Sequence, residues 1–511
     1  MSRRIPTALV LMIASLCVVA LLLAWVSTIG PGGPGDETIR IRVACAAGVK
    51  RPVEQAARDY EETYGVEVEL LYGGSATLLG GIEIKPDSAD LYIAADSSYV
   101  EDGRARGMLR ESIPIATLTP VIAVAKGNPR SVLGLEDLVD REDLRIGLAN
   151  PDAAAVGKAA RSLLIDIGRW ETFEDRLTVL KPTVVDVAND VVIGSLDASI
   201  VWDATTAQYE ELQALRDPVL DQGRRTIEVA VVEATSVPTE ALRFARYLAA
   251  RDEGQLLFER FGYEPTVGDV WDERPKVVLF AGSMFNQAIE ETVAAFSERE
   301  GVEVDRVYNG CGILTGQMKA GAQPDAYLSC DVRFLEEVGS RFHPALDISE
   351  NPMVLITPRD NPGSVETIKD LLRPGTRVGL AHPEKSALGL LTMRLLEEQE
   401  LLESMKSSGN WVQEAPQGDF LVNAMRTGAL DAAIVYTSNA ALNREHLEVI
   451  PIETGEIQAR QPWAVSRTSD HQNTLGRLLD ALLAEESAGR FKALGFNWLP
   501  SEQPNTVQDV R

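Results

Sequence analysis

Histidine is sparse in this chain, and the common catalytic sequence motifs are absent from it. Its four histidines lie far apart, at His343, His382, His446 and His471, and none belongs to an HExxH helix. The sequence also contains no GxSxG turn and no GxxxxGK[ST] loop. We therefore expect a binding protein rather than an enzyme, with no cofactor and no bound metal ion.

The groups that could bind a ligand stand instead where apolar strands run into helices. Gly73-Gly74-Ser75 follows the apolar segment 66–72, and Asn309-Gly310-Cys311-Gly312 follows the similar segment 302–308. The start of a helix exposes several unpaired backbone N–H groups and about half a positive charge. Such junctions can hold a dehydrated anion without a lysine, so the sequence predicts anion binding by neutral donors.

These junctions belong to a repeating order of strand, turn and helix. The predicted strands cover residues 39–46, 66–72, 90–96 and 145–149, and later 277–281, 302–308, 325–331 and 377–381. An alternating order predicts an α/β fold of mostly parallel sheets with helices on both faces, and ligand sites at the carboxyl ends of the strands. We expect two lobes in each unit, with the chain crossing between them near Thr119-Pro120 and near Asn351-Pro352.

The whole order occurs twice along the chain. The segment GVEVELLYGGSATLLGG at 65–81 and the segment GVEVDRVYNGCGILTGQ at 301–317 share eight of seventeen residues. The segments GSLDASIVWDATTA at 194–207 and GALDAAIVYTSNAA at 428–441 share seven of fourteen. The offset of about 235 residues indicates an internal duplication. The predicted domains are 37–272 and 273–500, followed by a polar tail at 501–511.

The length of the chain bears on the number of domains, and its charge bears on the class of partner. The 511 residues are enough for two or more domains. The net charge is −27, from 76 acidic and 49 basic residues. Nucleic acid is not an expected partner, because phosphate backbones are held mainly by lysine and arginine.

The start of the chain predicts contact with a membrane. Arg3 and Arg4 precede the uncharged stretch 5–29, which is long enough to span the hydrocarbon layer. Basic residues on the N-terminal flank place the start in the cytoplasm and the remainder outside. We favour a retained single-pass anchor over a cleaved signal peptide. The Gly/Pro segment 30–35 predicts a flexible stalk, so the N-terminal region as a whole covers residues 1–36.

Beyond the apolar stretch the cysteines are Cys45, Cys311 and Cys330. They are too few for a disulfide framework. A Cys311–Cys330 bridge and free thiols are both compatible with the sequence.

Five motifs together resemble the molybdate-binding proteins that serve ATP-driven importers, within the type II extracellular solute-binding proteins. The motifs are GGSATL at 73–78, NPDAAAVGK at 150–158, AGS at 281–283, PDAYLSCD at 324–331 and GALDAAIVY at 428–436. The resemblance covers most of both halves. It implies two tandem two-lobed periplasmic-binding-protein domains, a small tetrahedral oxyanion as ligand and an ABC-type permease as partner, on the periplasmic or extracellular side of the membrane.

The resemblance also implies ligand positions in each half. In the first half they are Gly48, Ser75, Val156, Val184 and Trp202, and in the second half Ser283, Cys311, Leu388, Gly418 and Tyr436. Gly48 stands where the family has its first serine, Cys311 replaces the second serine, and Trp202 offers an indole N–H in place of a phenol. Both halves thus depart from the family pattern.

Several alternatives stay open at this level. Ser75 and Ser283 could be simple helix caps, and Trp202 and Tyr436 could be core aromatics. The clefts could have lost binding in a membrane-tethered sensor or scaffold. The same fold could also bind phosphate, sulfate, ferric ion or a small organic acid.

Overall fold

The structure is a computed structural model that describes residues 39–455 and 457–499. The predicted membrane anchor and the whole of the predicted polar tail therefore lie outside the described residues. Every helix within the described part of the chain is too short or too polar to cross a membrane. The buried apolar residues form two separate clusters, one from Ile41 to Tyr263 and the other from Val277 to Phe496. Each half of the chain therefore has a core of its own.

In the first half, strands and short helices alternate as the sequence predicts. The strands are β1 Arg40–Ala46, β2 Glu67–Gly73, β3 Leu91–Ala94, β4 Leu109–Leu118, β5 Pro120–Ala125, β6 Ile146–Ala149, β7 Leu177–Lys181, β8 Ala198–Trp202, β9 Leu212–Leu215, β10 Arg225–Val232 and β11 Glu264–Pro265. The α-helices are α1 Lys50–Tyr64, α2 Ser75–Ile84, α3 Ser98–Ala105, α4 Leu135–Asp140, α5 Ala155–Asp166, α6 Trp170–Arg176, α7 Val184–Val192, α8 Asp203–Ala207, α9 Pro218–Asp221, α10 Pro238–Ala249 and α11 Gly254–Arg260.

The second half repeats this series with small differences. Its strands are β12 Lys276–Gly282, β13 Glu303–Asn309, β14 Ala326–Leu328, β15 Leu346–Asn351, β16 Met353–Pro358, β17 Val378–Ala381, β18 Trp411–Ala415, β19 Ala432–Tyr436, β20 Leu447–Pro451, β21 Ala459–Val465 and β22 Asn497–Trp498. Its α-helices are α12 Asn286–Glu300, α13 Cys311–Lys319, α14 Val332–Glu336, α15 Ala387–Glu398, α16 Leu402–Ser408, α17 Gly418–Arg426, α18 Thr437–Ala440, α19 Gln472–Leu483 and α20 Glu485–Ala493. Short 3₁₀ turns occupy 47–49, 86–88, 283–285, 339–341, 368–372 and 441–443.

Each half contains two sheets, one per lobe, and the strand order is the same in both halves. The first lobes have the orders β2-β1-β3-β10-β4-β11 and β13-β12-β14-β21-β15-β22. The second lobes have the orders β7-β6-β8-β5-β9 and β18-β17-β19-β16-β20. The chain crosses between lobes at Thr119 and at Pro352, where the sequence predicted the crossings, and it returns along β10 and β21.

The prediction of mostly parallel sheets is wrong, because all four sheets are mixed. In each half, four strand pairings are parallel and five are antiparallel. The antiparallel pairings involve the strands that carry the chain between the lobes, such as β4, β5 and β10. A strand that enters one lobe from the other lobe can lie antiparallel to the βα strands beside it. The alternation of strands and helices along the sequence does not show the direction of such a strand.

The duplication extends to strand register and helix ends. Strand β1 pairs with β2 from Arg40↔Glu67 onward, and β12 pairs with β13 from Lys276↔Glu303 in the same register. Helices α1 and α12 end at Gly65 and Gly301, whose φ angles are 68° and 65°. Glycine adopts this left-handed conformation without the steric cost of a side chain. The GVEV repeat therefore marks the same helix-to-strand turn in both halves.

Candidate functional site

A small cavity lies between the two lobes of the first half, at the carboxyl ends of the strands. Its volume of about 10 Å³ is room for about one water molecule. All thirteen of its lining residues are uncharged: Ala46, Ala47, Gly48, Gly73, Gly74, Ser75, Ala95, Ala154, Ala155, Val156, Thr183, Val184 and Trp202. The cavity can therefore offer a ligand only neutral hydrogen-bond donors and acceptors.

All five first-half positions implied by the resemblance line this one cavity. Gly48 and Ser75 come from the first lobe, whereas Val156, Val184 and Trp202 come from the second lobe. Ser75 and Val184 are the first residues of α2 and α7, and Val156 is the second residue of α5. The first N–H groups of a helix have no partner within that helix. Three helix starts, each with a partial positive charge, thus converge on the cavity.

Trp202 provides a further donor at the end of β8. Its side chain is 1 % exposed, and its indole N–H donates to no group in the described part of the chain. Gly48 lies close to both side chains, since a Cβ at position 48 would lie tightly against Val184 Cγ1, at 3.2 Å, and in ordinary contact with Trp202 Cδ1, at 3.4 Å. An indole N–H can only donate. The cavity therefore contains a donor that lacks an acceptor among the described residues.

Ser75 is neither a helix cap nor a free hydroxyl. The N-cap residue of α2 is Gly74, and the Ser75 Oγ accepts a hydrogen bond of 3.4 Å from the backbone N–H of Ala95. The hydroxyl hydrogen is then directed elsewhere, and the side chain lines the cavity. The capping alternative for Ser75 does not apply.

The structure revises one position of the proposed ligand set. Each half has a 3₁₀ turn directly after its first strand, and Ala47 and Ser283 are the first residues of these turns. Ala47 is therefore the counterpart of Ser283, and Gly48 is the counterpart of Met284. Residues 44–47 are mostly alanine, so the sequence alone did not fix the alignment of the two halves here to better than one residue.

The lobes of the first half are closed on each other. The backbone N–H of Ala76 donates to the Ala153 carbonyl at 3.1 Å. Lys158 Nζ donates to Ser98 Oγ at 2.7 Å, and Nη1 of Arg51 donates to the Gln208 carbonyl oxygen at 2.8 Å. Each of these bonds joins residues of different lobes. A ligand in the cavity could enter or leave only when these bonds open.

The second half differs at the corresponding positions. Cys311, the counterpart of Ser75, forms a disulfide with Cys330. Cys311, a ligand position implied by the resemblance, therefore cannot donate a hydrogen bond through its sulfur, because the bridged sulfur carries no hydrogen. The bridge lies at the end of β12, where a Cβ on Gly282 would come 2.4 Å from Cys330 Sγ. The sequence allowed this pairing but could not select it over free thiols.

A carboxylate and an amide occupy the start of helix α17. A Cβ on Gly418 would lie 2.3 Å from Asn439 Oδ1. Asn439 accepts from the Tyr436 N–H at 3.1 Å and donates to Asp419 Oδ1 at 2.9 Å. Burial raises the pKa of Asp419, and its bond to Asn439 partly offsets this. The helix start that lines the cavity in the first half thus carries a carboxyl group in its first turn in the second half.

Of the remaining second-half positions, Leu388 and Tyr436 are buried and Ser283 is partly exposed, and they do not line one shared cavity in the described residues. Leu388 lies in the second core cluster, near the start of α15. The Tyr436 hydroxyl is buried without a hydrogen-bond partner among the described residues, and burial raises its pKa well above the usual value. Ser283 lines a separate groove of about 450 Å³ and makes no cap bond. The sequence reasoning missed Asp419 and Asn439, although the repeat aligns them with Val185 and Thr205.

Comparison with known proteins agrees with the duplicated two-lobed fold. A family model for bacterial extracellular solute-binding proteins matches residues 41–264 and matches again at residues 277–497. The chain therefore belongs to the family of bacterial extracellular solute-binding proteins and contains two copies of its domain. This family consists of binding proteins, and nothing in these matches indicates catalysis.

Individual relatives cover about half of the chain each. The molybdate-binding protein ModA of Mycobacterium tuberculosis is 26 % identical over 238 residues, which are 46 % of this chain and 87 % of the relative. ModA of Escherichia coli is 21 % identical over 243 residues, 45 % of this chain and 91 % of the relative. The periplasmic molybdate-binding protein of Azotobacter vinelandii has a TM-score of 0.39 and 18 % identity, and the match covers 44 % of this chain and 98 % of that one.

Proposed function

We propose that the first half captures a small, fully ionised tetrahedral oxyanion such as molybdate or tungstate, and that the protein delivers it to an ABC-type importer. The observation that carries this proposal is the uncharged cavity into which three helix starts and the unpaired Trp202 N–H project. Because the closed cavity has room for only about one water molecule, the two lobes must move apart to hold the ion. Donors without a matching acceptor suit a ligand that only accepts hydrogen bonds. An anion fills that role, and buried N–H groups hold anions through charge-assisted bonds.

The cavity also favours an anion that carries no proton. A protonated phosphate brings an O–H group that requires an acceptor, and no carboxylate lines the cavity. Ferric sites need several anionic oxygen ligands, and the lining provides none. The names of the curated relatives support molybdate within this class.

Under this proposal the second half does not hold the same ion. Its helix start faces the carboxyl group of Asp419, and Cys311 has no hydrogen to donate. A carboxylate near an oxyanion repels it, and the cost rises where water is excluded. We therefore expect one oxyanion per chain rather than two.

Calorimetric titration of the full chain with molybdate, tungstate, sulfate and phosphate tests the proposal. We expect one equivalent of molybdate or tungstate to bind and phosphate to bind more weakly. Trp202→Phe should weaken the affinity about 10-fold or more, because a buried bond to a charged group contributes roughly 1.5–3 kcal/mol. Trp170→Phe, a change in the same lobe away from the cavity, should leave the affinity unchanged.

Three outcomes would contradict this function. Binding of two equivalents with similar affinity would show that the second half also takes the oxyanion. An unchanged affinity in the Trp202 variant would place the ion elsewhere. Failure of all four anions to bind would favour the alternative of a tethered sensor or scaffold that has lost this ligand.

The proposal includes attachment to the membrane by residues 5–29, on the outer face. The mass of the N-terminal peptide from protein purified with its native membrane distinguishes an intact anchor from a cleaved signal. Loss of the first 25–36 residues would contradict a retained anchor.

A further inference from the structure

The second half has an open groove of about 450 Å³ across the mouth of its cleft. The residues that line it come from both lobes: Ser283, Met284, Asn286, Gln287, Tyr308, Gln417, Asp419, Val422, Asn423, Ser438, Asn439, Leu442, Asn443 and Leu494. Its volume is within the range of small-molecule sites. The first-half cavity, at about 10 Å³, is far smaller.

The charges around this groove differ from those at the matching positions of the first half. The repeat aligns Lys50 and Arg51, at the start of α1, with Asn286 and Gln287 at the start of α12. It aligns Val185 with Asp419. The second half thus replaces two cations by amides and an apolar side chain by a carboxyl group. No lysine, arginine or histidine lines the groove, so an anionic ligand would find no counter-charge there.

The groove instead has many neutral groups that both donate and accept hydrogen bonds. The side-chain amides of Asn286, Gln287, Asn423 and Asn443 make no hydrogen bond within the described residues. The hydroxyl of Ser283 is also unpaired there. A primary amide has two donor hydrogens and an acceptor oxygen in one plane. Adjacent hydroxyl groups of a ligand present the same mixture of donors and acceptors.

The groove also has apolar surfaces beside these amides. Val422, Leu442 and Leu494 contribute to its walls, and Tyr308 adds an aromatic ring. The Tyr308 hydroxyl is engaged with Glu290 Oε2 at 2.9 Å, so the ring is held in place. A saturated ring that carries hydroxyls has C–H faces that pack on such surfaces, while its edges bond to amides.

We propose that this groove binds a neutral solute with several hydroxyl groups, of the size of a monosaccharide or a cyclic polyol. The two halves then serve different ligand classes, one anionic and one uncharged. One carboxylate oxygen of Asp419 accepts from a ligand hydroxyl, while the other, Oδ1, accepts from the Asn439 amide. This inference does not depend on oxyanion binding by the first half, because its residues and its ligand are separate.

Calorimetric titration of the full chain with D-glucose, D-ribose, myo-inositol and glycerol tests the inference. We expect at least one of the ring-forming solutes to bind with one equivalent, and glycerol to bind more weakly because it has no ring to cover the apolar walls. Asn423→Ala should weaken that affinity about 5-fold or more, since it removes an unpaired groove amide. Asn189→Ala changes the matching exposed position of α7 and should have no effect.

The same titration repeated in saturating molybdate separates the two proposals. An unchanged polyol affinity supports independent sites, whether or not molybdate itself binds. Absence of binding by all four solutes would overturn the inference. Equal affinities in the wild type and the Asn423 variant would overturn it too, as would a Trp202→Phe variant that lost polyol binding.

Discussion

At the scale of single residues, the duplication preserves an ion pair that joins neighbouring strands of the second lobe. Arg145 Nη2 lies 2.8 Å from Asp197 Oδ1, and Arg377 Nη2 lies 2.7 Å from Asp431 Oδ1. In both pairs the same carboxylate also accepts from the arginine backbone N–H at 2.8 Å. The hydrogen bonds from the arginine side chains hold the pKa of Asp197 and of Asp431 below the usual range, although burial opposes the shift.

These lowered pKa values predict a loss of stability in acid. The unfolded chain has aspartates with pKa values of about 3.9, so it binds protons more readily than the folded chain does. The stabilisation is present above about pH 4 and is lost as the pH falls through the lower folded-state values. A double variant Asp197→Asn, Asp431→Asn should therefore have a flatter dependence of Tm on pH below about pH 5. Thermal unfolding followed by circular dichroism across this range measures it.

The control for this experiment is Asp166→Asn, since Asp166 forms no ion pair within the described residues. It should keep the acid dependence of the wild type. Equal slopes for all three proteins would show that other carboxyl groups govern acid unfolding.

At the scale of elements, glycines at helix starts allow the lobes to meet. A Cβ on Gly74 would lie 2.3 Å from the Ala153 carbonyl oxygen, and a Cβ on its counterpart Gly310 would lie 2.5 Å from the Lys385 carbonyl oxygen. Gly74 directly precedes α2, and Ala153 lies just before α5 in the other lobe. The glycine repeat is thus a requirement of closure as well as of the turn.

Gly74→Ala should hold the first half open. The added methyl cannot fit against a backbone carbonyl, so the lobes must separate. We expect about a 10-fold or greater loss of molybdate affinity, at a cost typical of overpacking, roughly 1–3 kcal/mol. Small-angle scattering should also show a larger radius of gyration in the ligand-free variant.

Gly80→Ala is the matched control, because position 80 lies in the same helix and a Cβ there meets no atom within 4 Å. It should bind normally and gain up to about 1 kcal/mol of helix stability. A Gly74 variant with unchanged affinity and scattering would mean that α2 shifts without opening the cleft.

At the scale of the whole molecule, a buried ionic cluster links the two halves. Glu300, at the end of α12, is 1 % exposed and lies between Arg246 of the first half and Arg477 of the second. Arg477 Nε and Nη2 lie 2.7 Å and 3.0 Å from its two carboxylate oxygens, and Arg246 Nη1 lies 3.5 Å from Oε2. Burial lowers the pKa of Arg246. Near this cluster, Asp269 of the first half accepts from Thr474 of the second at 2.8 Å.

Glu300→Ala should destabilise the protein by about 3–5 kcal/mol, because it leaves two buried guanidinium groups without their carboxylate. The loss falls at the contact between the halves, so the variant should unfold in two steps where the wild type unfolds in one. Differential scanning calorimetry resolves the steps. Glu298→Ala lies on the exposed face of the same helix. It should leave the number of unfolding steps unchanged and should change the Tm only slightly. Two separate transitions in the wild type would contradict coupling by this cluster.

Local patterns in the sequence were sufficient for the repeat, for the order of strands and helices, and for the two points where the chain changes lobes. The five residues that line the first cavity came from the family resemblance and not from local patterns. Glycine turns, helix starts and strand hydrophobicity depend on neighbours in the chain, so their signal survives in a single sequence.

Tertiary structure decided the features that depend on contacts between distant residues. Strand direction within each sheet follows from the path between lobes, and the Cys311–Cys330 bridge follows from how β14 places its end beside α13. The contact between Asn439 and Asp419, which gives the second cleft its different character, joins two elements whose approach no local pattern encodes. The charge and polarity of each cleft therefore depend on packing, because they are set by the side chains that the fold brings together.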